Sequence, residues 1–266
     1  MKQFLSRVQA NEEIALGYFE MTFEWSSEAE PPLPGQFVTV KSYGTTDLIL
    51  RRPFAVSSFD RANARAAMIY QKKGPATEAL AGKRAGDTID LIAPLGNHFP
   101  VDAGIRPVLV GGGVGLGPIL YLGNWLEAQG RKPLVVLGFR ERSFLPALLD
   151  DRSRVLFHPE LCSDDGSRGF RGTTVGWLER RFGEDADSFR NSVIFMCGPN
   201  AMMAACAAFA AERGISSWAS MEQIMGCGVG ACMGCTIPVG GADGYARVCT
   251  EGPVFRSEEV KWERLA

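Results

Sequence analysis

The sequence predicts three parts in one chain: an N-terminal antiparallel β-barrel at residues 1–101, an α/β unit on a parallel sheet at 102–221, and a small C-terminal module at 222–266. Three observations carry this division. Short alternating stretches separated by Pro/Gly turns fill the first part, and strand-like and helix-like stretches take turns in the second. Four of the seven cysteines crowd into residues 227–249.

Within the first part, Phe19, Met21, Phe23 and Trp25 alternate with polar residues, and Gln36–Tyr43, Phe54–Phe59, Ala67–Lys72 and Asp87–Ile92 read as further strands. Turn residues separate them at Pro31-Pro-Leu-Pro-Gly35, Gly74-Pro75 and Pro94-Leu-Gly-Asn97. Repeated short strands with such punctuation predict an antiparallel barrel. After Gly104 the pattern changes. A buried strand at Arg106–Val110 leads through a glycine turn into a helix ending near Gly130. Strand Pro133–Phe139, a helix near Arg142–Asp150, strand Val155–His158, a helix over Thr174–Phe182 and strand Ser192–Cys197 follow, and a helix over Pro199–Arg213 and strand Ser216–Met221 close the series. Alternation of this kind predicts βαβ units and a parallel sheet.

The 266 residues, 46% hydrophobic with a mean hydropathy of −0.01, suffice for a buried core. A net charge of −2 and the absence of a basic run argue against a nucleic-acid partner. The longest apolar tract, Ala201–Ala211, falls short of the roughly 18 residues of a membrane span. Charge interrupts the N-terminal run at once, unlike a secretory signal, and Cys162, Cys197 and Cys206 form no disulfide-like pattern, so a reducing cytoplasm is expected.

Cys227, Cys232, Cys235 and Cys249 follow the spacing C-x4-C-x2-C-x13-C, the arrangement of a plant-type [2Fe–2S] centre. Gly226, Gly228, Gly230 and Gly234 interleave the first three, which lets the backbone turn tightly and bring N–H groups to an anionic cluster. The alternative is a four-cysteine zinc site, although zinc ligands usually come as two C-x2-4-C pairs. A Rieske centre needs two histidine ligands, and His98 and His158 are both remote in sequence. Single-electron transfer is therefore the expected chemistry.

The run Gly111-Gly-Gly-Val-Gly-Leu-Gly-Pro118 follows a strand and opens a helix, where N–H groups and the helix dipole attract phosphate. Gly112, Gly113 and Gly115 are its candidate nucleotide contacts; the alternative is a tight βα turn. The run is neither a P-loop nor a full G-x-G-x-x-G, because Pro118 takes the place of the third glycine. Cys197, Gly198 and Pro199 follow another strand, at the sheet edge where α/β folds bind ligands. In the barrel, Arg51-Arg-Pro-Phe-Ala-Val-Ser57 offers arginine and Gly74-Pro-Ala-Thr77 a helix start, both suited to a diphosphate. Each also has a plain reading, as solvated charge or helix cap.

Taken in order along the whole chain, these motifs resemble the ferredoxin–NADP reductase superfamily, and within it the electron-transfer subunits of class 1B dihydroorotate dehydrogenases. The resemblance implies FAD held by Arg52, Pro53, Phe54 and Ala55 (the R-P-x-S motif), by Ile69, Tyr70 and Gln71, and by Ala76 and Thr77. It implies NAD at the glycine run and at Cys197–Pro199, a T-D-D-G-S-x-G-like loop at Ser163–Gly169, and a closing match over Met221-Glu222 and the cysteine module. Three positions depart from the pattern. Ala55 lacks the serine hydroxyl, His98 stands where glycine is common, and Ser163 replaces threonine.

A nicotinamide releases a hydride, while a [2Fe–2S] centre accepts one electron at a time, so a flavin between them is required. No residue is assigned as a catalytic acid or base. By resemblance, dihydroorotate chemistry belongs to an FMN-containing catalytic partner subunit, in a hetero-oligomer with two copies of each, acting in pyrimidine biosynthesis. Two other readings remain: a flavin/iron–sulfur subunit of an NAD(P)H–ferredoxin, sulfide or sulfite complex, or a zinc-stabilised nucleotide-binding scaffold without redox activity. Arg140 and Arg142 stand either to reach a 2′-phosphate or to face solvent.

Overall fold

The computed structural model describes residues 1–41, 49–102, 104–151, 153–241 and 244–265. Six antiparallel strands close a barrel in the order β1-β2-β5-β4-β3-β6: β1 (Lys2–Ala15), β2 (Tyr18–Glu24), β3 (Phe37–Lys41), β4 (Arg52–Asp60), β5 (Arg65–Gln71) and β6 (Thr88–Leu95). Alternation places Met21 and Phe23 of β2 in its core beside Val38, Met68 and Leu91. Helix α1 (Pro75–Ala81) joins β5 to β6. Strand β1 escaped the sequence reading because polar Gln9, Asn11, Glu12 and Glu13 and two register shifts against β2 break its alternation. The end of the expected strand Gln36–Tyr43, at residues 42 and 43, lies outside the described residues.

The second unit is a seven-stranded sheet in the order β10-β9-β8-β7-β11-β12-β15, with β7 (Arg106–Gly112), β8 (Leu134–Phe139), β9 (Glu160–Ser163), β10 (Phe170–Arg171), β11 (Ser192–Cys197), β12 (Ser216–Ser220) and β15 (Val254–Arg256). All neighbours are parallel except β12 and β15. The helices are α2 (Leu116–Glu127), α3 (Thr174–Glu184) and α4 (Asn200–Glu212). Helix α2 packs on β4, and its Tyr121 hydroxyl donates to Pro32 O at 2.6 Å, fastening sheet to barrel.

Two expected elements are corrected. The helix near Arg142–Asp150 is instead two single turns, Arg142–Phe144 and Ala147–Asp150. Pro146 between them has no N–H to continue an α-helical ladder. The strand expected at Val155–His158 is absent. Val155 and Phe157 are buried as loop residues packed beside Leu149, and the strand starts past Pro159, at Glu160. Apolar spacing there reports burial rather than strand pairing.

The C-terminal module contributes a hairpin, β13 (Thr236–Pro238) with β14 (Tyr245–Arg247), before β15 returns to the large sheet. One core joins all three parts: Phe37 and Leu95 of the barrel, Val110 and Met196 of the sheet, and Met225, Cys235, Ile237 and Cys249 of the module. Among the described residues no helix is long and apolar enough to cross a membrane. Leu122 of α2 is fully buried between helix and sheet. Leu122→Ala is expected to lower unfolding free energy by about 2–5 kcal/mol in denaturant titration, with an unchanged slope.

Candidate redox-cofactor sites

Strand β4 changes partners midway. Residues 52–55 pair with β3, whereas Val56 onward pairs with β5, starting at Met68. Ile69, Tyr70 and Gln71 of β5 therefore pair only with β2, and a slot opens between residues 52–55 and 69–71. Phe54 and Tyr70 turn inward, their ring centroids 5.7 Å apart, and the Tyr70 hydroxyl donates to Asn11 Oδ1 at 2.8 Å. Burial pushes the Tyr70 phenol up to about 12, with the Asn11 bond opposing. Tyr70 thus offers the slot its backbone rather than its ring. By alternation Ala55 and Ile69 face outward together. Ser57, two residues beyond Ala55, is 3% exposed and its Oγ has no partner among the described residues, so a buried hydroxyl remains beside the slot.

The two arginines are not equivalent. Arg51 bonds the Asp90 carboxylate at 2.6 Å and the Asp90 carbonyl at 2.8 Å, whereas Arg52 donates to the carbonyls of Leu50 and Arg51. Among the described residues Arg52 has no carboxylate partner, which leaves its charge for a diphosphate. The Thr77 hydroxyl is occupied, accepting from Lys73 N and Gly74 N and donating to Gly74 O. At Ala76 and Thr77 only first-turn N–H groups, which lack intrahelical acceptors, remain.

A cleft of about 860 Å³ lies over the carboxyl ends of β7, β8, β9 and β11. The strand order reverses between β7 and β11, the position where open α/β sheets bind ligands. Gly112, Gly113, Gly198 and Pro199 line it. Gly113 has φ +57°, and an added Cβ would stand 3.7 Å from the Tyr18 hydroxyl. Gly115 lies behind the wall, where a Cβ would fall 2.2 Å from Cys197 O; its glycine serves close packing. Cys197 is 4% exposed, and burial raises its thiol pKa, with a smaller contribution from Glu222.

Tyr18, Lys73, Arg140, Asp164, Thr173 and Glu222 also line it. Glu222 is open to solvent inside the cleft yet surrounded closely enough that desolvation raises its carboxyl, with Lys73 opposing. Desolvation likewise raises the Tyr18 phenol, while Arg140 lowers it. Arg140 lines the cleft, and Arg142 does not.

The four module cysteines come together as two pairs. Cys227 and Cys232 approach within hydrogen-bonding reach of each other, as do Cys235 and Cys249. Among the described residues no three His, Cys, Asp or Glu side chains close on a single metal ion. Two close pairs suit two irons that take two thiolates each, and the C-x4-C-x2-C spacing sets the loop apart from the paired knuckles of a zinc site. Partial burial works against ionisation of Cys227, but N–H donors from Val229, Cys232 and Ala231 outweigh it and hold the thiol down to about 6. Ala231 N lies 3.3 Å from its Sγ, and Gly234 N lies 3.5 Å from Cys232 Sγ. Desolvation keeps Cys249 up at about 11. The thiolate-stabilising loop and the paired sulfurs fit a [2Fe–2S] group. At Gly228 (φ +72°) the loop rests on β3, where a Cβ would fall 2.7 Å from Thr39 Cγ2, and Thr39 pairs with Pro53 of the slot. One strand separates loop from slot.

Residues 222–261 match the iron–sulfur cluster binding domain of dihydroorotate dehydrogenase B. The chain is 37% identical over 251 residues to the dihydroorotate dehydrogenase B (NAD(+)) electron transfer subunit of Bacillus caldolyticus, covering 93% of this chain and 94% of that one. It is 35% identical to the same-named subunit of Caldanaerobacter subterraneus subsp. tengcongensis, covering 96% and 97%. The chain belongs to the dihydroorotate dehydrogenase B electron-transfer subunits. A solved NADH-dependent reduced ferredoxin-NADP oxidoreductase superposes with a TM-score of 0.81 at 28% identity, over 98% of this chain and 92% of that one. A ferredoxin NADP+ reductase from Neisseria gonorrhoeae, with bound FAD and NADP, shares the fold at 17% identity and TM-score 0.68, over 80% and 92%.

As a family member, the chain is an electron-transferring oxidoreductase, and residues 222–261 carry its iron–sulfur domain. Of the residues marked in the sequence, the slot gathers those at 52–55 and 69–71, and the cleft gathers Gly112, Gly113, Gly198 and Pro199. Tyr18 and Lys73 reach the cleft from the barrel, which no local pattern announces, whereas Asp164 lies within the Ser163–Gly169 loop and Glu222 opens the module. Gly113→Val forces a branched residue into a left-handed backbone and crowds the cleft. NADH affinity is expected to fall about tenfold or more, the roughly 1–2 kcal/mol of such strain, with flavin absorbance retained.

Proposed function

We propose that the chain passes electrons between an FMN-containing dihydroorotate dehydrogenase catalytic subunit and NAD⁺, in pyrimidine biosynthesis, within a cytoplasmic hetero-oligomer holding two copies of each subunit. The cytoplasmic assignment rests on free cysteines serving as thiolate ligands. Residues 1–101 form the FAD unit, 102–221 the NAD unit and 222–266 the cluster module. The observation that carries the reading is the seating of the paired-cysteine loop one strand from the slot, with one pair turned inward and one outward. Cys235 and Cys249 are 2% and 3% exposed within the shared core, whereas Cys232 is exposed among the exposed apolar residues Ile224, Val229 and Met233.

When bound, FAD exchanges a hydride with the nicotinamide and single electrons with the cluster. The protein's part is placement. Arg52 and the first-turn amides of Ala76 and Thr77 hold the flavin diphosphate. Pro53 to Ala55 and Ile69 to Gln71 clasp the flavin ring. Gly112, Gly113, Gly198 and Pro199 let the nicotinamide nucleotide approach the backbone beside the slot, in front of buried Gly115 and Cys197. Cys227, Cys232, Cys235 and Cys249 would hold the [2Fe–2S] cluster. The amides at Val229, Ala231 and Gly234 stabilise negative charge on the outer pair. The outer pair, ringed by apolar side chains, faces the partner. No described residue stands as a base over a second flavin, and dihydroorotate oxidation falls to the catalytic subunit.

Co-expression with an FMN-containing dihydroorotate dehydrogenase subunit is expected to give a complex that couples dihydroorotate to NAD⁺, and Cys232→Ser is expected to abolish that coupling while FAD stays bound. Iron and acid-labile sulfide should each assay at about two per chain. A stable complex with a ferredoxin- or sulfide-linked subunit instead would overturn the partner and leave the cofactor wiring. Arg52→Ala should weaken FAD binding by roughly 1.5–3 kcal/mol, ten- to hundredfold, in flavin titration of the apoprotein; unchanged affinity would return Arg52 to a surface charge.

A further inference from the structure

One side chain joins the end of the barrel to the segment that carries the fourth ligand cysteine. Asn97 follows β6, and its backbone N–H donates to Gly252 O at 2.7 Å. Its Nδ2 donates to Glu251 O at 3.0 Å and to Val254 O at 2.8 Å, while its Oδ1 accepts from Val254 N at 2.9 Å. Both carboxamide hydrogens and the oxygen are thus spent on one facing segment, 157 residues away at Val254. A carboxamide with donors and acceptor engaged at once fixes both position and orientation.

The tie continues toward the flavin slot. The neighbouring carbonyl, Gly96 O, accepts from Gln36 Nε2 at 2.8 Å, and Gln36 O accepts from Val56 N at 3.0 Å. Val56 is the residue at which β4 leaves β3 for β5. Gly96, with φ +74°, lets Pro253 pack so closely that an added Cβ would fall 2.4 Å from its Cδ. Hydrogen bonds alternating with covalent links therefore connect the slot, through Gln36 and the Gly96–Asn97 peptide, to Glu251 and Gly252, just past Cys249.

We infer that Asn97 is a positioning residue for internal electron transfer: it fixes the separation between the flavin slot and the cysteine loop, and so the rate at which electrons cross. The inference rests on the proposed function, in which FAD and cluster on this chain exchange electrons. In that step one electron leaves the NADH-reduced flavin and converts one Fe(III) of the cluster to Fe(II). No bond to Asn97 forms or breaks. Its effect is distance alone, to which electron tunnelling is steeply sensitive. Asn97→Ala strips Val254 N–H and two carbonyls of their partners at once, which frees the segment to shift.

The test uses the full chain loaded with FAD and cluster, mixed rapidly with NADH while flavin bleaching and cluster reduction are followed separately. In Asn97→Ala, flavin reduction is expected at the wild-type rate and cluster reduction to be slowed severalfold, the scale on which tunnelling falls with an ångström-sized shift. Amide hydrogen exchange at Val254 should quicken in the cofactor-free chain as in the loaded one. Gln36→Met, which cuts the same tie one link earlier, should give the same split more weakly. Wild-type cluster reduction in Asn97→Ala overturns the inference, as does an equal loss of both rates with flavin and cluster shed together. If Asn97→Ala does not fold, Gln36→Met decides, and an unaltered ratio of the two rates overturns it. A wild-type chain that never reduces its cluster through FAD overturns the proposed function instead.

Discussion

Strand β4 cannot satisfy both of its neighbours along its whole length. Its first half takes hydrogen bonds from β3 and its second half from β5, and the backbone edge left over at residues 69–71 becomes an opening in an otherwise closed barrel. Closed barrels exist because an unpaired edge is costly. Here the cost falls where a flat ring can insert, and the inward rings of Phe54 and Tyr70 keep the core shut beneath it. The candidate sites are arranged about that opening. Helix α2 packs on β4, the cleft opens beside Gln71 and Lys73, and the cysteine loop leans on β3 through Thr39.

The sheet obeys a second constraint. Its order reverses between β7 and β11, so the loops after those strands part and leave a hollow at their carboxyl ends. Two glycine segments meet there with different tasks. Gly113 faces the hollow, while Gly115 lets the first turn pass within packing distance of Cys197 and Gly198. A shared core under barrel, sheet and module then makes their relative placement a matter of packing rather than of linkers.

Features set by neighbours in sequence were legible in advance. The cysteine spacing with its intervening glycines, the glycine run and the R-P-F-A strand can each be located from local sequence alone. The alternation at Met21 and Phe23 marked a barrel wall correctly. What was not legible depends on tertiary contact or on a local signal that another force overrode. Polar residues hid β1, Pro146 divided an apparent helix, and Val155 with Phe157 are apolar because they are buried, not because they pair. The inward turn of Tyr70 and the withdrawal of Gly115 behind the cleft wall follow from pairing register and packing that no motif records. Tyr18 and Lys73 act at a cleft whose floor belongs to another unit.

Ser220, the last residue of β12, pairs directly with Val254, the first of β15. The chain thus leaves the sheet edge and comes back to the place it left, and residues 221–253 form an excursion whose two ends are already neighbours. Segments attached in this way can be gained, lost or exchanged without redirecting the chain on either side. The iron–sulfur module can therefore be viewed as a cassette on a two-unit flavoenzyme, with the antiparallel β15 as its clasp. A protein of this architecture can change the partner it exchanges electrons with by replacing one loop, while the two units that carry the slot and the cleft stay as they are.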